Sequence, residues 1–199
     1  MRTHRDREEV SEMTHHAHQP LEGKRAAVMI GPMFEDVEAT YPYHRLREAG
    51  ATVELIGIRA DETVRGKKGE ELRVENAAAD LVADDLDILV IAGGYGPDKL
   101  RADAGVQGLV RGMDEQGKPV AFICHAGWVP ASAGIVGGRK VTSYPTIADD
   151  LRNAGAEWED AEVVIDGNLV SSRWPDDLPA FMRALIEVAV GAEEAVAAS

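Results

Sequence analysis

Val120-Ala121-Phe122-Ile123-Cys124-His125-Ala126-Gly127 decides how the chain is read. Four apolar residues run directly into a cysteine, and a histidine and two small residues follow. An apolar strand that ends at a nucleophile and continues into a helix is a strand-turn-helix elbow. Such a turn lifts the side chain off the end of the strand. It also aims the positive end of the next helix at the sulfur, which favours the thiolate. A lone cysteine is also a common small buried hydrophobe, so these eight residues leave both readings open.

The flanking segments supply the frame. Upstream, Leu86 to Ala92 is an apolar strand entering Gly93-Gly94. Before it, Arg25 to Ile30 is a strand ended by Gly31-Pro32. Phe34-Glu35-Asp36-Val37-Glu38 then opens a helix that runs to Gly50, with Val37, Tyr41, His44 and Leu46 on its packed face. Thr52 to Ile58 is a strand and Arg65 to Gly69 a hairpin tip. Leu72 to Asp85 reads as a short strand and then a loop or helical turn. Asp98 to Gln116 reads as mostly helix, closed by Gly117-Lys118-Pro119. Downstream, Trp128 to Ile135 is the helix after the elbow, Lys140 to Ser143 a strand, and Ile147 to Ala154 a helix. Asp166-Gly167-Asn168 between two apolar runs is a hairpin signal. Pro175 to Val190 is a last amphipathic helix.

Strands alternating with helices predict an α/β three-layer sandwich with a mostly parallel central sheet. In such sheets ligands bind beyond the carboxyl ends of the strands. Glu35, Gly93-Gly94 and Cys124 each follow a strand directly, so the fold brings all three to one rim.

The 199 residues bound one domain, expected over 24–191, with a disordered N-terminal tail over 1–23 and a frayed C-terminus over 192–199. The tail holds His4, His15, His16 and His18 without the fixed spacing of a metal site. One cysteine excludes an internal disulfide framework and fits a reducing cytoplasm. The net charge of −14 argues against nucleic acid and anionic membrane as partners. No apolar run approaches a membrane span, and no metal or cofactor motif is present: Gly93, Gly94 and Gly96 do not form a dinucleotide fingerprint.

For Cys124 to attack near neutral pH its thiol needs help from its surroundings. A neighbouring carboxyl serves if it keeps its proton and donates to the sulfur, and Glu35 is placed for that role. Backbone N–H groups at Gly93-Gly94, with that of His125, are candidates for an oxyanion hole. Adjacent side chains at a tight turn usually diverge, so His125 is not expected to pair with the sulfur directly. Asp98 and His125 do not obviously meet within one chain.

Phe34 to Glu38, Tyr41-Pro-Tyr-His-Arg45, Gly93 to Asp98, Gly117 to Val120 with Cys124-His125, Thr142 to Pro145, and Val163 to Asn168 with Ser171-Ser172-Arg173 together resemble the ThiJ/PfpI superfamily, in its PfpI branch. The resemblance spans residues 25–190. It implies a flavodoxin-like, class I glutamine amidotransferase-like fold with a nucleophile elbow. It implies Cys124 as nucleophile, Glu35 as the protonated carboxyl on its sulfur, and His125 as the second catalytic member. Asp98 would reach His125 of a neighbouring copy, making the active form a homo-oligomer, dimer or hexamer. Gly94 and His125 would form the oxyanion hole, with Gly93, Tyr95, Ala126 and Trp128 around the pocket. Two positions depart from the pattern: Ala126 stands where the family usually has Gly, and Asp98 where close relatives carry Glu.

The function so implied is a cysteine-dependent, cofactor-independent stress-response enzyme. It would be an intracellular protease acting on peptides, or a glyoxalase III or deglycase acting on small 2-oxoaldehydes through a Cys thiolate hemithioacetal. The alternative is a non-enzymatic sensor or chaperone that uses oxidation of Cys124. Glutamine amidotransferase chemistry is disfavoured, because no histidine follows His125.

Overall fold

The computed structural model describes residues 19–197. In chain order it contains β1 (Arg25–Met29), α1 (Asp36–Glu48), β2 (Thr52–Gly57), β3 (Thr63–Arg65), β4 (Glu71–Arg73), β5 (Asn76–Ala77) and β6 (Ile88–Ile91). Then come α2 (Gly96–Leu100), α3 (Ala104–Glu115), β7 (Val120–Ile123), α4 (Trp128–Ala133), β8 (Lys140–Val141), α5 (Ala148–Asn153) and β9 (Glu157–Trp158). The chain ends with β10 (Val163–Asp166), β11 (Leu169–Ser172) and α6 (Leu178–Ala197).

Seven strands form one sheet in the order β10-β11-β7-β6-β1-β2-β5. Every pairing is parallel except β10 with β11, the hairpin around Asp166-Gly167-Asn168. The central strands are buried on both faces, as apolar parallel strands must be. Side-chain alternation divides the core in two. Ala26, Val28, Ala121 and Ile123 face one layer with Phe181 and Leu185 of α6. Ala27, Met29, Val120 and Phe122 face the other with Val110 and Met113 of α3. The architecture is thus a three-layer sandwich with a mostly parallel sheet.

The expected helix over 98–116 is two helices. Asp103 breaks it, because its side chain accepts from the Val106 N–H at 2.9 Å and so caps the start of α3. β3 and β4 form the hairpin expected around Arg65 to Gly69, and Lys67 and Lys68 sit in its loop. His44, expected on the packed face of α1, is exposed and lies edge-on to Tyr43. Among the described residues no helix is long and apolar enough to cross a membrane.

The packed chain starts before its expected limit at residue 24. Leu21, assigned to the tail, is fully buried, and its N–H donates to Ala49 O at 2.8 Å. α6 runs to Ala197. The four tail histidines lie outside the described residues. A packed Leu21 makes the segment before β1 part of the core. Leu21→Ala should lower unfolding stability by about 2–5 kcal/mol, the usual cost of emptying a buried leucine site. Urea titration of the two proteins measures that difference.

Candidate active site

β7 ends in the apolar run expected of it, and the chain then turns. Cys124 has φ +62°, one of the few non-glycine residues in the left-handed region. That conformation is strained for a residue with a Cβ and marks a backbone held by its surroundings. Residues Cys124–Gly127 form a single 3₁₀ turn leading into α4. The turn places the thiol at the carboxyl rim, 8% exposed.

Gly93-Gly94 comes against it from β6. A Cβ on Gly93 would lie 2.4 Å from Glu38 Oε2 and 2.7 Å from Cys124 Cβ. Gly94 has φ +82°, and a Cβ there would lie 2.4 Å from the Glu35 nitrogen. Both positions therefore require glycine, one for space and the other for space and conformation. The N–H groups of Gly94 and His125 both reach the sulfur.

The carboxyl on the sulfur belongs to Glu38, not Glu35. Glu38 lies in the first turn of α1 and is fully buried. Its Oε2 accepts the Gly93 N–H at 2.9 Å, and its carboxyl is in hydrogen-bond reach of Cys124. Its Oε1 is buried without a hydrogen-bond partner. Glu35 instead takes Lys67 at 2.7 Å and Lys68 at 3.0 Å, which hold its carboxyl below the usual range against the opposing effect of burial. An acid held ionised by two cations cannot be the proton donor expected at that position.

Burial, followed by the Glu35 charge, pushes Glu38 up to about 8. Burial, followed by the Glu38 charge, pushes the Cys124 thiol up to about 12, while the N–H groups of Gly94 and His125 pull the other way. Two anions cannot share this dry space, so the pair titrates as a unit. With the proton on Glu38, its carboxyl donates to the sulfur. The charge that opposes the thiolate is then gone, and both N–H groups still favour it.

His125 does meet the sulfur. Its Nδ1 lies 3.2 Å from Cys124 Sγ, closer than adjacent side chains at a tight turn were expected to come. The ring is held by stacking on Tyr144 at 4.9 Å and by Trp128 edge-on at 5.3 Å. Burial and the Lys67 charge lower its pKa, so the imidazole is neutral near pH 7 and able to accept a proton.

Asp98 lies on the exposed side of α2, its carboxylate paired with Lys99 at 3.1 Å. Tyr95 borders the cleft and is 63% exposed. Ala126 and Trp128, expected around the pocket, do not line it. Ala126 is fully buried beneath the turn, and Trp128 stands behind His125 with its indole N–H on Asp150 at 2.7 Å. The cleft above the sulfur measures about 360 Å³, and Lys67, Tyr144, Thr146, Trp174 and Pro175 complete its walls. Sequence reasoning missed these five and Glu38. The signal for Glu38 was present, since it closes the Phe34 to Glu38 motif one helical turn after Glu35.

A parallel α/β sheet that carries a cysteine at a positive-φ elbow, with a protonated acid, a histidine and two N–H donors on the sulfur, defines a cysteine-nucleophile enzyme. The model of the DJ-1/PfpI family matches residues 24–188, and the chain belongs to that family. A deglycase of Pyrococcus abyssi is 44% identical over 82% of this chain and 98% of its own length. YraA of Bacillus subtilis, named as a candidate cysteine protease, is 43% identical over 80% of this chain and 95% of its own. Among solved structures, Drosophila melanogaster DJ-1beta superposes with a TM-score of 0.78 at 30% identity, covering 84% of this chain and 91% of that one. With these relatives, the chain is a PfpI-type cysteine-dependent enzyme of the hydrolase or glyoxalase kind.

The Glu38 shift has a consequence for stability. The folded protein holds a proton on Glu38 between about pH 4.5 and 8, where an unfolded chain has released it. Raising the pH through that window therefore destabilises the fold. Unfolding free energy should fall by a few kcal/mol more in the wild type than in Glu38→Gln as pH rises from about 5 to 8. Denaturant titrations at a series of pH values check the difference.

Proposed function

We propose that the protein is a cofactor-independent glyoxalase III or deglycase, converting 2-oxoaldehydes to 2-hydroxy acids through Cys124. The observation that carries this reading is the sulfur itself, touched by Glu38, by His125 Nδ1 and by the N–H groups of Gly94 and His125. The cleft favours a small carbonyl compound over an extended peptide. Its volume of about 360 Å³, lined by Tyr144, Trp174, Lys67 and Tyr95 among others, is at the small end for a ligand cleft.

In the first step the Cys124 thiolate adds to the aldehyde carbon, and the new oxyanion is taken by the Gly94 and His125 N–H groups. The hemithioacetal then loses its carbon-bound proton to His125, giving an enediol. Reprotonation at the neighbouring carbon leaves a thioester. Water hydrolyses the thioester, freeing the thiol and the hydroxy acid. The aldehyde carbon is oxidised, the ketone carbon is reduced, and one water is consumed overall.

Among the described residues the hydrogen-bond partner of the far nitrogen of His125, Nε2, is Thr146 Oγ1 at 3.4 Å and not an acid. Asp98 of a second copy would supply that acid, which makes a homo-oligomer, dimer or hexamer, the active form. The exposure of Asp98 supports this arrangement. Cytoplasmic operation fits a site that depends on a reduced thiol.

Methylglyoxal should yield lactate with the wild type and none with Cys124→Ala, by enzymatic lactate assay. Asp98→Ala should lose most activity. Mixing Cys124→Ala with Asp98→Ala should restore part of it, because a mixed oligomer contains sites with both residues. Absence of lactate from the wild type refutes the glyoxalase reading, and failure of the mixture to recover refutes the shared site.

A further inference from the structure

The mechanism leaves one charged group of the cleft without a task. Lys67 reaches the site from the β3–β4 loop, far in sequence from the elbow, and is the one Lys or Arg among the described residues lining the cleft. The backbone of that loop is tied to the site: the Lys67 N–H donates to Phe34 O at 2.9 Å. Its ammonium is placed from two sides, by Glu35 Oε2 at 2.7 Å and by the Tyr95 ring with its centroid at 5.5 Å.

Lys67 and Lys68 share the Glu35 carboxylate, and Asp36 accepts the Lys68 backbone N–H at 2.9 Å, so two cations face two anions, with Lys67 the cation on the cleft side. Glu38 adds no negative charge while it keeps its proton. The field of Lys67 is felt at both Cys124 and His125. On a chain of net charge −14, Lys67 is thus the cation that the cleft presents beside Cys124 and His125. Tyr144 and Trp174 also line the cleft, in edge contact at 6.3 Å. A cation and two aromatic side chains lining one cleft, in a space larger than methylglyoxal fills, suit an apolar ring with a negative group.

We propose that Lys67 is a specificity residue that selects anionic substrates, with ring-bearing 2-oxoaldehydes carrying a carboxylate as the class the cleft favours. The ring rests against the Tyr144 and Trp174 side chains, the carboxylate meets Lys67, and the aldehyde carbon lies at Cys124. The reaction keeps the balance already given: an arylglyoxal plus water becomes the corresponding mandelate, its aldehyde carbon oxidised and its ketone carbon reduced. The turnover part of the proposal rests on the glyoxalase reading, whereas the charge selection does not.

Two measurements separate them. Cys124 is the single cysteine of the chain, so alkylation reports on it directly. Iodoacetate and iodoacetamide differ in charge at nearly equal size, and a small free thiol supplies the reference ratio of their rates. The wild type should favour iodoacetate relative to that reference, Lys67→Met should lower the ratio about tenfold, and Lys67→Arg should restore it. An equal ratio in wild type and Lys67→Met overturns the proposal, even if both rates fall together. In the second measurement, 4-carboxyphenylglyoxal should exceed phenylglyoxal in kcat/KM. Lys67→Met should erase that preference mainly through KM for the anionic substrate. If neither glyoxal is converted while the alkylation ratio still drops, the glyoxalase reading fails and the anion site stands. If both are converted with no preference, the substrate class fails and the activity stands.

Discussion

The proton shared by Glu38 and Cys124 is the constraint on which the rest of the site depends. Two groups that ionise to anions lie in contact, out of water. Burial pushes both upward, helped at Glu38 by the Glu35 charge and at Cys124 by the Glu38 charge, Glu38 to about 8 and Cys124 to about 12. The arrangement works only if one proton stays in the pair. Everything nearby decides which member keeps it. The Gly94 and His125 N–H groups stabilise charge on sulfur, while the nearby Glu35 charge opposes ionisation of Glu38. Gly93 is bare because any side chain there would collide with both partners. The positive φ of Cys124 follows from the same need, since it turns the sulfur back toward α1 instead of along the strand.

Two acids three residues apart thus meet opposite fates. Glu35 ends the segment after β1 and is captured by Lys67 and Lys68. Glu38 lies one turn further on, points into the sheet, and finds a backbone N–H and a sulfur. Nothing in the local sequence distinguishes them, because both are acids at a helix start. The distinction is made 32 residues later in sequence, by a hairpin loop that folds over the rim and claims the more exposed carboxylate. That pairing is a tertiary event, invisible to periodicity or helix-dipole arguments. It also explains how a cation came to stand in the cleft without being expected there.

What the sequence made legible is what local chemistry controls. The three rim stretches after β1, β6 and β7 converge as the alternation of strands and helices required. The Asp166-Gly167-Asn168 hairpin forms as its turn residues demand, and Cys124 stands at the elbow. The misjudged features were set by non-local or competing contacts. Asp103 split one expected helix because a side-chain cap satisfied N–H groups that a continuous helix would have used. Leu21 looked like tail because it is one apolar residue among polar ones, and only its fit beneath Ala49 and α1 makes it core. Tyr144 and Trp174 reach the cleft from loops after β8 and β11, where no periodic pattern announces a wall.

Ala126 shows how the same reasoning treats a departure from a family pattern. A glycine after an elbow cysteine invites the view that the turn needs its conformational freedom. Here the left-handed residue is Cys124 itself, and Ala126 is not among the positive-φ positions. Its methyl group points down into the layer that holds Val129 and Leu151, away from the cleft. The following Gly127 is the tighter position, where a Cβ would come within 3.2 Å of Leu151 Cδ1. Packing therefore tolerates a methyl at Ala126, and the sulfur keeps its contacts with His125 Nδ1 and with the Gly94 and His125 N–H groups.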